Sequence, residues 1–375
     1  MIHTVEITYS PTRALYDRVI SLPGMRWERQ NKRFTTSCYE EYGLNKISCK
    51  VLQVNAYSRY SISMIVNLKH IVDGYSSMNI FTDRDMDFID ERFNGLMRNL
   101  FPEEDGQPVF PAFEKWKVTR IDYCVNVRTP YVKEYVKLLR KGSVPYFMKY
   151  PEDRYGRGSR KDGSLYLVGK SKIVPNRSIT INFYDKQNQL LRKRKNGENW
   201  ITDGMIEEAK DILRLEVQCH KVKTENLKKS MGISSKEILN YLSPGLCQSI
   251  IELNINRITP YAPYQRKSVA MEKIDASKHN ISTKEDMKRI IEAVAVQHSS
   301  VSKVEKSFIN NNVMKKSHFK LCIKGLEEMN VNPVTITDTE TLPGKSLRDG
   351  LDSILDIFYN ALWMTRDFTE DPITE

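Results

Sequence analysis

Apolar and polar positions change period several times along the 375 residues, and each change marks an element. Residues 3–9, HTVEITY, alternate with period two and end at Ser10-Pro11, which predicts a first strand. TRALYDRVIS (12–21) shifts to helical spacing and stops at Pro23-Gly24. Strands are predicted at 33–39, 46–54 and 60–68, the last alternating most clearly as YSISMIVNL. In 81–101, Met86, Ile89, Phe93 and Met97 recur at helical spacing behind an acidic start, which suits a helix N-terminus. WKVTRIDYCVNVRT (116–129) reads as a strong strand, with Val118, Arg120, Asp122, Cys124 and Asn126 on one face. A helix at 131–141 is closed by Gly142. Two alternating runs follow, SLYLV (164–168) and SITINFYD (178–185), and read as a hairpin. A helix at 203–211 and a strand at 211–222, DILRLEVQCHKV, complete this part.

Strands and helices mix here without strict βαβ order, which predicts an α+β domain with a largely antiparallel sheet. From about residue 224 the strand signals fade. NLKKSMGISSKEILNYLS, LCQSIIELNIN, STKEDMKRIIEAVAVQ and HFKLCIKGLEEM all carry helical spacing. The expected organisation is an α+β domain over 1–223 and a smaller helical region over 224–375, with the boundary near 224–245. SVSKVEKSF (300–308) is placed to start the second helix of a helix-turn-helix pair, a pattern that any small helical bundle shares.

Charge sharpens this picture. The chain carries a formal net charge of +11, and residues 154–195 alone hold twelve Lys or Arg against two Asp. Residues 338–375 hold nine acids and three bases, an acidic tail that either shields the basic surface or packs as a helix. A strand pair edged with cations suits a phosphodiester backbone, so nucleic acid leads the candidate partners. Its contacts would come from Arg154, Arg157, Arg160, Lys161, Lys172, Arg177, Arg192, Lys193, Arg194 and Lys195. The competing reading is a solvated basic face with structural tyrosines. The opening MIHTVEITYSP has no positively charged leader, and no apolar run approaches the roughly 18 residues of a membrane span. Six cysteines show no metal-like spacing and read as reduced, mostly buried thiols of a cytoplasmic protein.

Three strands carry polar groups that can converge. Asp122 and Asn126 project to one side of theirs, as do Glu216 and His220. Carboxylates from two strands form an oxygen-rich seat for Mg²⁺ or Mn²⁺, an ion that would polarise a phosphate. The commoner fate of such acids is an ion pair, here with Arg120 and Arg214, two positions before each. Tyr166 is the candidate nucleophile and Tyr184 its competitor. A phenol attacks phosphate only when cations or a base ease its proton away, and Arg160, Lys161, Lys170 and Lys172 lie near in sequence.

TRIDYCVNV (119–127), SLYLVGKS (164–171), ITINFYDKQNQL (179–190) and LRLEVQCHK (213–221) occur in the order of the core blocks of a known family. The set resembles replication initiation proteins of plasmids and phages: the trans-acting Rep initiators with one catalytic tyrosine, and the filamentous-phage gene II/X replication proteins. The opening MIHTVEI is similar to the second group. The resemblance covers residues 1–221 and leaves the helical third unsupported. It implies a nicking-closing enzyme of rolling-circle replication, or in some members a relaxase. Such an enzyme binds double-strand origin DNA, cuts one strand with a tyrosine and a divalent metal, and stays linked to the 5′ phosphate. The free 3′ hydroxyl then primes synthesis, and a host helicase and DNA polymerase extend and displace the strand, exposing single-stranded DNA. By motif position, Tyr166 is the nucleophile, Asp122 and Glu216 are metal ligands, and Tyr184-Asp185-Lys186 belongs to the active-site strand. Asn126 and His220 stand as further ligand candidates beside them, and Lys170 and Lys186 as cations beside the tyrosines. Two positions depart from the family pattern. Tyr166 stands three residues before Gly169 rather than two, and Asn126 replaces a second acid. A non-cleaving origin-binding or regulatory protein on the same scaffold is the alternative, an RNA-binding or structural protein the third reading, and a homodimer a further expectation.

Overall fold

A computed structural model describes residues 1–364 except 55–56, 75–78, 103–109, 151–163, 171–177, 233–234, 260–261 and 297–298. The chain runs β1 Ile2–Tyr9, α1 Arg13–Ile20, β2 Arg26–Glu28, β3 Arg33–Thr36, β4 Leu44–Val54, β5 Tyr57–Val66, α2 Leu68–Asp73, α3 Met86–Leu100, β6 Lys117–Arg128 and α4 Val132–Lys141. It continues through β7 Met148–Lys149, β8 Leu165–Gly169, β9 Ile179–Asp185, α5 Lys186–Lys195, α6 Asp203–Glu208 and β10 Ile212–Cys219. Helices α7 Lys221–Ser230, α8 Pro244–Ile255, α9 Lys267–Ala276, α10 Ile281–Ala295, α11 Val301–Asn310, α12 Lys316–Glu328 and α13 Ile354–Met364 follow. The ten strands form one sheet, in the order β2-β3-β4-β5-β1-β6-β10-β9-β8-β7. Neighbours are antiparallel throughout, so the α+β class with an antiparallel sheet is observed.

Residues opposite each other in a ladder share a face, so the register sorts every strand residue to one of two sides. Val5, Ile7, Ile47, Ile62, Met64, Ile121, Tyr123, Ile181, Phe183 and Val217 are buried on one side. Helices cover that side: Tyr16 of α1 stacks near Tyr60, and Phe358 of α13 meets Phe183 edge-on. Each of these side chains, fully buried, contributes about 1.5–3 kcal/mol through the water it sheds. The other side carries Glu6, Ser48, Lys50, Arg59, Ser61, Arg120, Asp122 and Gln218, and its openness varies along the sheet. One hydrophobic cluster runs from Met1 to Phe358, so the packing is continuous across residues 224–245.

Several boundaries differ from the periodic pattern for local reasons. Asn67 ends the strand run of 60–68, because its side chain accepts the His70 amide at 3.2 Å and starts α2. Asp185 does the same for Asn188 at 3.0 Å, so residues 186–195 form a helix rather than continuing the hairpin. The helix expected over 226–243 begins earlier as α7 and is interrupted at Gly232, whose φ of +66° suits glycine. The described part of the acidic stretch packs rather than shields: Glu340 pairs with Lys137 at 2.8 Å, and α13 lies on β6. Among the described residues no helix is long and apolar enough to cross a membrane.

Arg266 fastens the segment beyond α12. It is fully buried, and its guanidinium donates to the carbonyls of Asp349 at 3.0 Å, Thr337 at 2.9 Å and Glu340. Gly350 permits the same closure, since a Cβ there would sit 2.3 Å from the Tyr264 carbonyl oxygen. Removing the guanidinium leaves three backbone acceptors without their donor at once. Arg266→Met is therefore expected to destabilise the protein by about 2–4 kcal/mol in urea unfolding, with faster amide exchange concentrated in 331–352.

Candidate functional site

Between β1, β6, β9 and β10 the polar side of the sheet holds a covered network of charges. Tyr166 of β8 stands opposite Asn182 of β9, Asn182 opposite Glu216 of β10, and Glu216 opposite Cys124 of β6. The row on one side carries Tyr184, Arg214 and Asn126; the row on the other carries Thr180, Gln218 and Asp122. At a strand spacing of about 4.8 Å, the Tyr166 and Glu216 backbones lie roughly 10 Å apart.

Glu216 anchors this network. Its carboxylate accepts the Tyr184 hydroxyl at 2.6 Å and meets His3 Nδ1 at 2.9 Å. Burial alone would push the Glu216 carboxyl up. The His3 ring, the Arg214 guanidinium and the Tyr184 hydroxyl outweigh that and hold it well below the usual carboxylate range. Burial and the neighbouring Glu216 charge push the Tyr184 phenol well above its ordinary value, and the ring is 4% exposed. Tyr184 is thus a packed hydrogen-bond donor rather than an accessible nucleophile. Lys186, at the first turn of α5, is likewise buried, and desolvation and then Arg214 drive its amine well below the usual range. Its Nζ donates to Gln189 at 2.9 Å.

Asp122 is engaged separately. Arg120 binds both its oxygens, at 2.8 and 2.6 Å, and Thr4 donates at 2.5 Å. Asn126 accepts from Arg214 Nε at 2.6 Å, and His220 Nε2 lies 3.0 Å from the Thr180 hydroxyl. The four expected metal ligands share a side of the sheet, with Asp122 diagonal to Glu216, yet each has other partners. Among the described residues no three His, Cys, Asp or Glu side chains gather as a metal would need. In this arrangement Arg120 and Thr4 hold the Asp122 carboxylate, and His3 and Tyr184 hold that of Glu216.

Toward β3 the same side opens into a groove of about 850 Å³. Arg33, Lys50, Arg59, Lys115, Lys117, Arg120, Lys221 and Lys236 line it, against only Glu6 and Glu225 among acids. These cations come from six separate stretches of chain, so no local charge run announces them. His3 and Thr4 are equally hidden in the sequence. Simple alternation sends adjacent residues to opposite faces, but a β-bulge between Ile2 and Val5 brings both beside the acids.

Of the basic stretch, Arg154, Arg157, Arg160, Lys161, Lys172 and Arg177 lie outside the described residues. Arg192, Lys193, Arg194 and Lys195 form the last turn of α5, where the helix dipole favours cations. Lys193 pairs with Glu198 at 2.9 Å and Arg194 with Asp203 at 2.5 Å. Lys170, exposed just after β8, donates to the Tyr146 carbonyl at 2.5 Å. Tyr166 is half-buried on β8. Comparison with protein-family models, with curated proteins and with solved structures finds no match for the chain in any of the three.

The buried acid sets a pH dependence. Glu216 titrates lower in the folded chain than in the unfolded one, so its stabilisation is complete above the ordinary carboxylate range, near 4.3, and declines as pH falls below it. Glu216→Gln leaves Arg214 buried without its counter-charge. The expected results are a loss of about 3–5 kcal/mol at neutral pH and a shallower acid limb in urea unfolding measured from pH 7 to 3.

Proposed function

We propose that the protein is a replication initiator of the rolling-circle type, a DNA-nicking and strand-transferring enzyme acting on the polar side of its sheet. One observation carries the reading: the Tyr166–Asn182–Glu216 row and the basic groove occupy the same side of one antiparallel sheet. A strand lying in the groove would meet cations with its phosphates and reach a half-buried phenol at the covered end. In the proposed step the Tyr166 oxygen bonds to phosphorus as the bond to the 3′ oxygen breaks. The departing 3′ oxygen takes up the proton that the phenol gives up.

Tyr166 is favoured over Tyr184 because the latter is buried and committed to Glu216. A second reading, binding without cleavage, draws on Asp122, whose oxygens are both taken by Arg120 and Thr4. Groove binding serves either reading.

The deciding experiment incubates the protein with supercoiled plasmid carrying its replicon's origin, with Mg²⁺, Mn²⁺ or chelator, and maps any DNA-linked peptide by mass. The enzyme reading expects relaxed circles, linkage at Tyr166, and at least about a 1000-fold loss of rate in Tyr166→Phe. Tight binding without relaxation in every condition favours the non-cleaving protein. Linkage at another tyrosine keeps the activity and removes Tyr166.

The groove makes its own prediction. Lys50, Lys117 and Lys221 have no acidic partner among the described residues. Replacing all three by alanine is expected to weaken single-strand binding and to reduce the log-log salt slope by about 2, read by fluorescence anisotropy across a salt series.

A further inference from the structure

The bundle of α10, α11 and α12 stands apart from the site described above. We propose that α11 and α12 form a helix-turn-helix in which α12 enters the major groove of duplex DNA and reads its sequence. This rests on the reading of the chain as a DNA-acting protein and gives that protein a means of choosing its site.

The three helices pack on one another as part of the continuous core. Met287, Ile290, Ile291 and Val294 of α10 are buried with Val301 and Val304 of α11 and Phe319, Cys322 and Leu326 of α12. The turn between α11 and α12 is fixed. Asn312 takes φ +54°, and the Val313 amide donates back to the Phe308 carbonyl at 2.8 Å. Met314 is buried one residue before the cap of α12, and Phe319 is buried at the fourth helical position, a pairing that sets the angle at which the chain enters a helix.

The outward face of α12 is basic. Lys316, Lys320 and Lys324 recur every four residues, with Ser317 and Leu321 beside them, all exposed, Leu321 to 58%. Lys316 and Lys320 have no acidic partner among the described residues, whereas on α10 Lys288 pairs with Asp275 and Arg289 with Asp286. The acids of α12 come only in its last turn, as Glu327 and Glu328. Basic start and acidic end both oppose the helix dipole, so this pattern does not serve helix stability. It does suit a polyanion met by the first half of the helix. An α-helix about 10–12 Å across fits the major groove of B-form DNA, while the major groove of A-form RNA is too narrow for side-chain reading. Lysine and serine can bond base edges there, and leucine can contact a thymine methyl.

The test selects duplexes from a pool with about 20 randomised base pairs, using the full chain, and compares binding to a strand of about 30 thymidines. The proposal expects a selected duplex bound on the order of 100-fold more tightly than its scrambled version at physiological salt. It expects that preference to fall below about 10-fold in Lys316→Ala/Lys320→Ala and in Leu321→Ser, with oligothymidine binding and urea midpoint retained. Lys273→Ala/Lys278→Ala removes equal charge from exposed positions on α9 and just beyond its end and should keep the preference. No selected duplex alongside good oligothymidine binding overturns this inference and leaves the proposed function standing. A preference that survives both α12 variants, or that falls equally in the α9 control, also overturns it. Failure to bind either nucleic acid removes the proposed function as well.

Discussion

Everything in this molecule depends on the register between β1, β6, β10 and β9. Period-two geometry gives each strand residue one of two sides, and a slip of one position would exchange them. Here the register puts Ile121, Tyr123, Val217 and Ile181 together on the apolar side and Asp122, Glu216 and Thr180 on the other. The charges are tolerable only in that arrangement. Glu216 and Arg214 lie almost wholly out of water, so each requires the other and the hydroxyl, amide and imidazole groups around them. The network in turn penalises any other register, because a shifted strand would leave a buried charge without its partner.

Much of the fold was legible because the long strands alternate. β1, β4, β5, β6, β8, β9 and β10 all stand where period-two runs put them, and mixed order without βαβ units foretold antiparallel pairing. Elements of two or three residues, β2 and β7, carry too few positions for a period. The helix α5 was hidden for another reason: KQNQLLRKRK has hardly any apolar stripe, and its start is fixed by the Asp185 cap rather than by pattern. The site was legible in part. Parity put Asp122 with Asn126 and Glu216 with His220, but only the strand register brings the two pairs to one side; the ion pair of Asp122 with Arg120 follows from their two-residue spacing. The partners from β1 were not legible, since His3 and Thr4 reach the acids through a bulge that alternation does not encode.

Charge shows the same division between local and assembled information. The cations of the basic stretch are adjacent in sequence, yet the described ones at its end close α5, and two of them, Lys193 and Arg194, pair with nearby acids. The groove collects its cations from Arg33 through Lys236, one or two per element, and only the folded sheet sums them. A field able to hold a polyanion is therefore a property of strand order more than of composition.

The central place of β1 has a consequence for how the molecule comes into being. One of its two sheet neighbours, β6, begins only at Lys117, and the hydrogen bond from Thr4 to Asp122 spans 118 positions. At roughly 5–20 residues per second, a ribosome needs on the order of ten seconds to supply that partner. Until then β1 can pair only with β5, and its other edge stays unsatisfied and able to recruit other strands. The nascent chain is thus most exposed to misassociation during the interval before β6 emerges, and chaperone protection would matter most in that window.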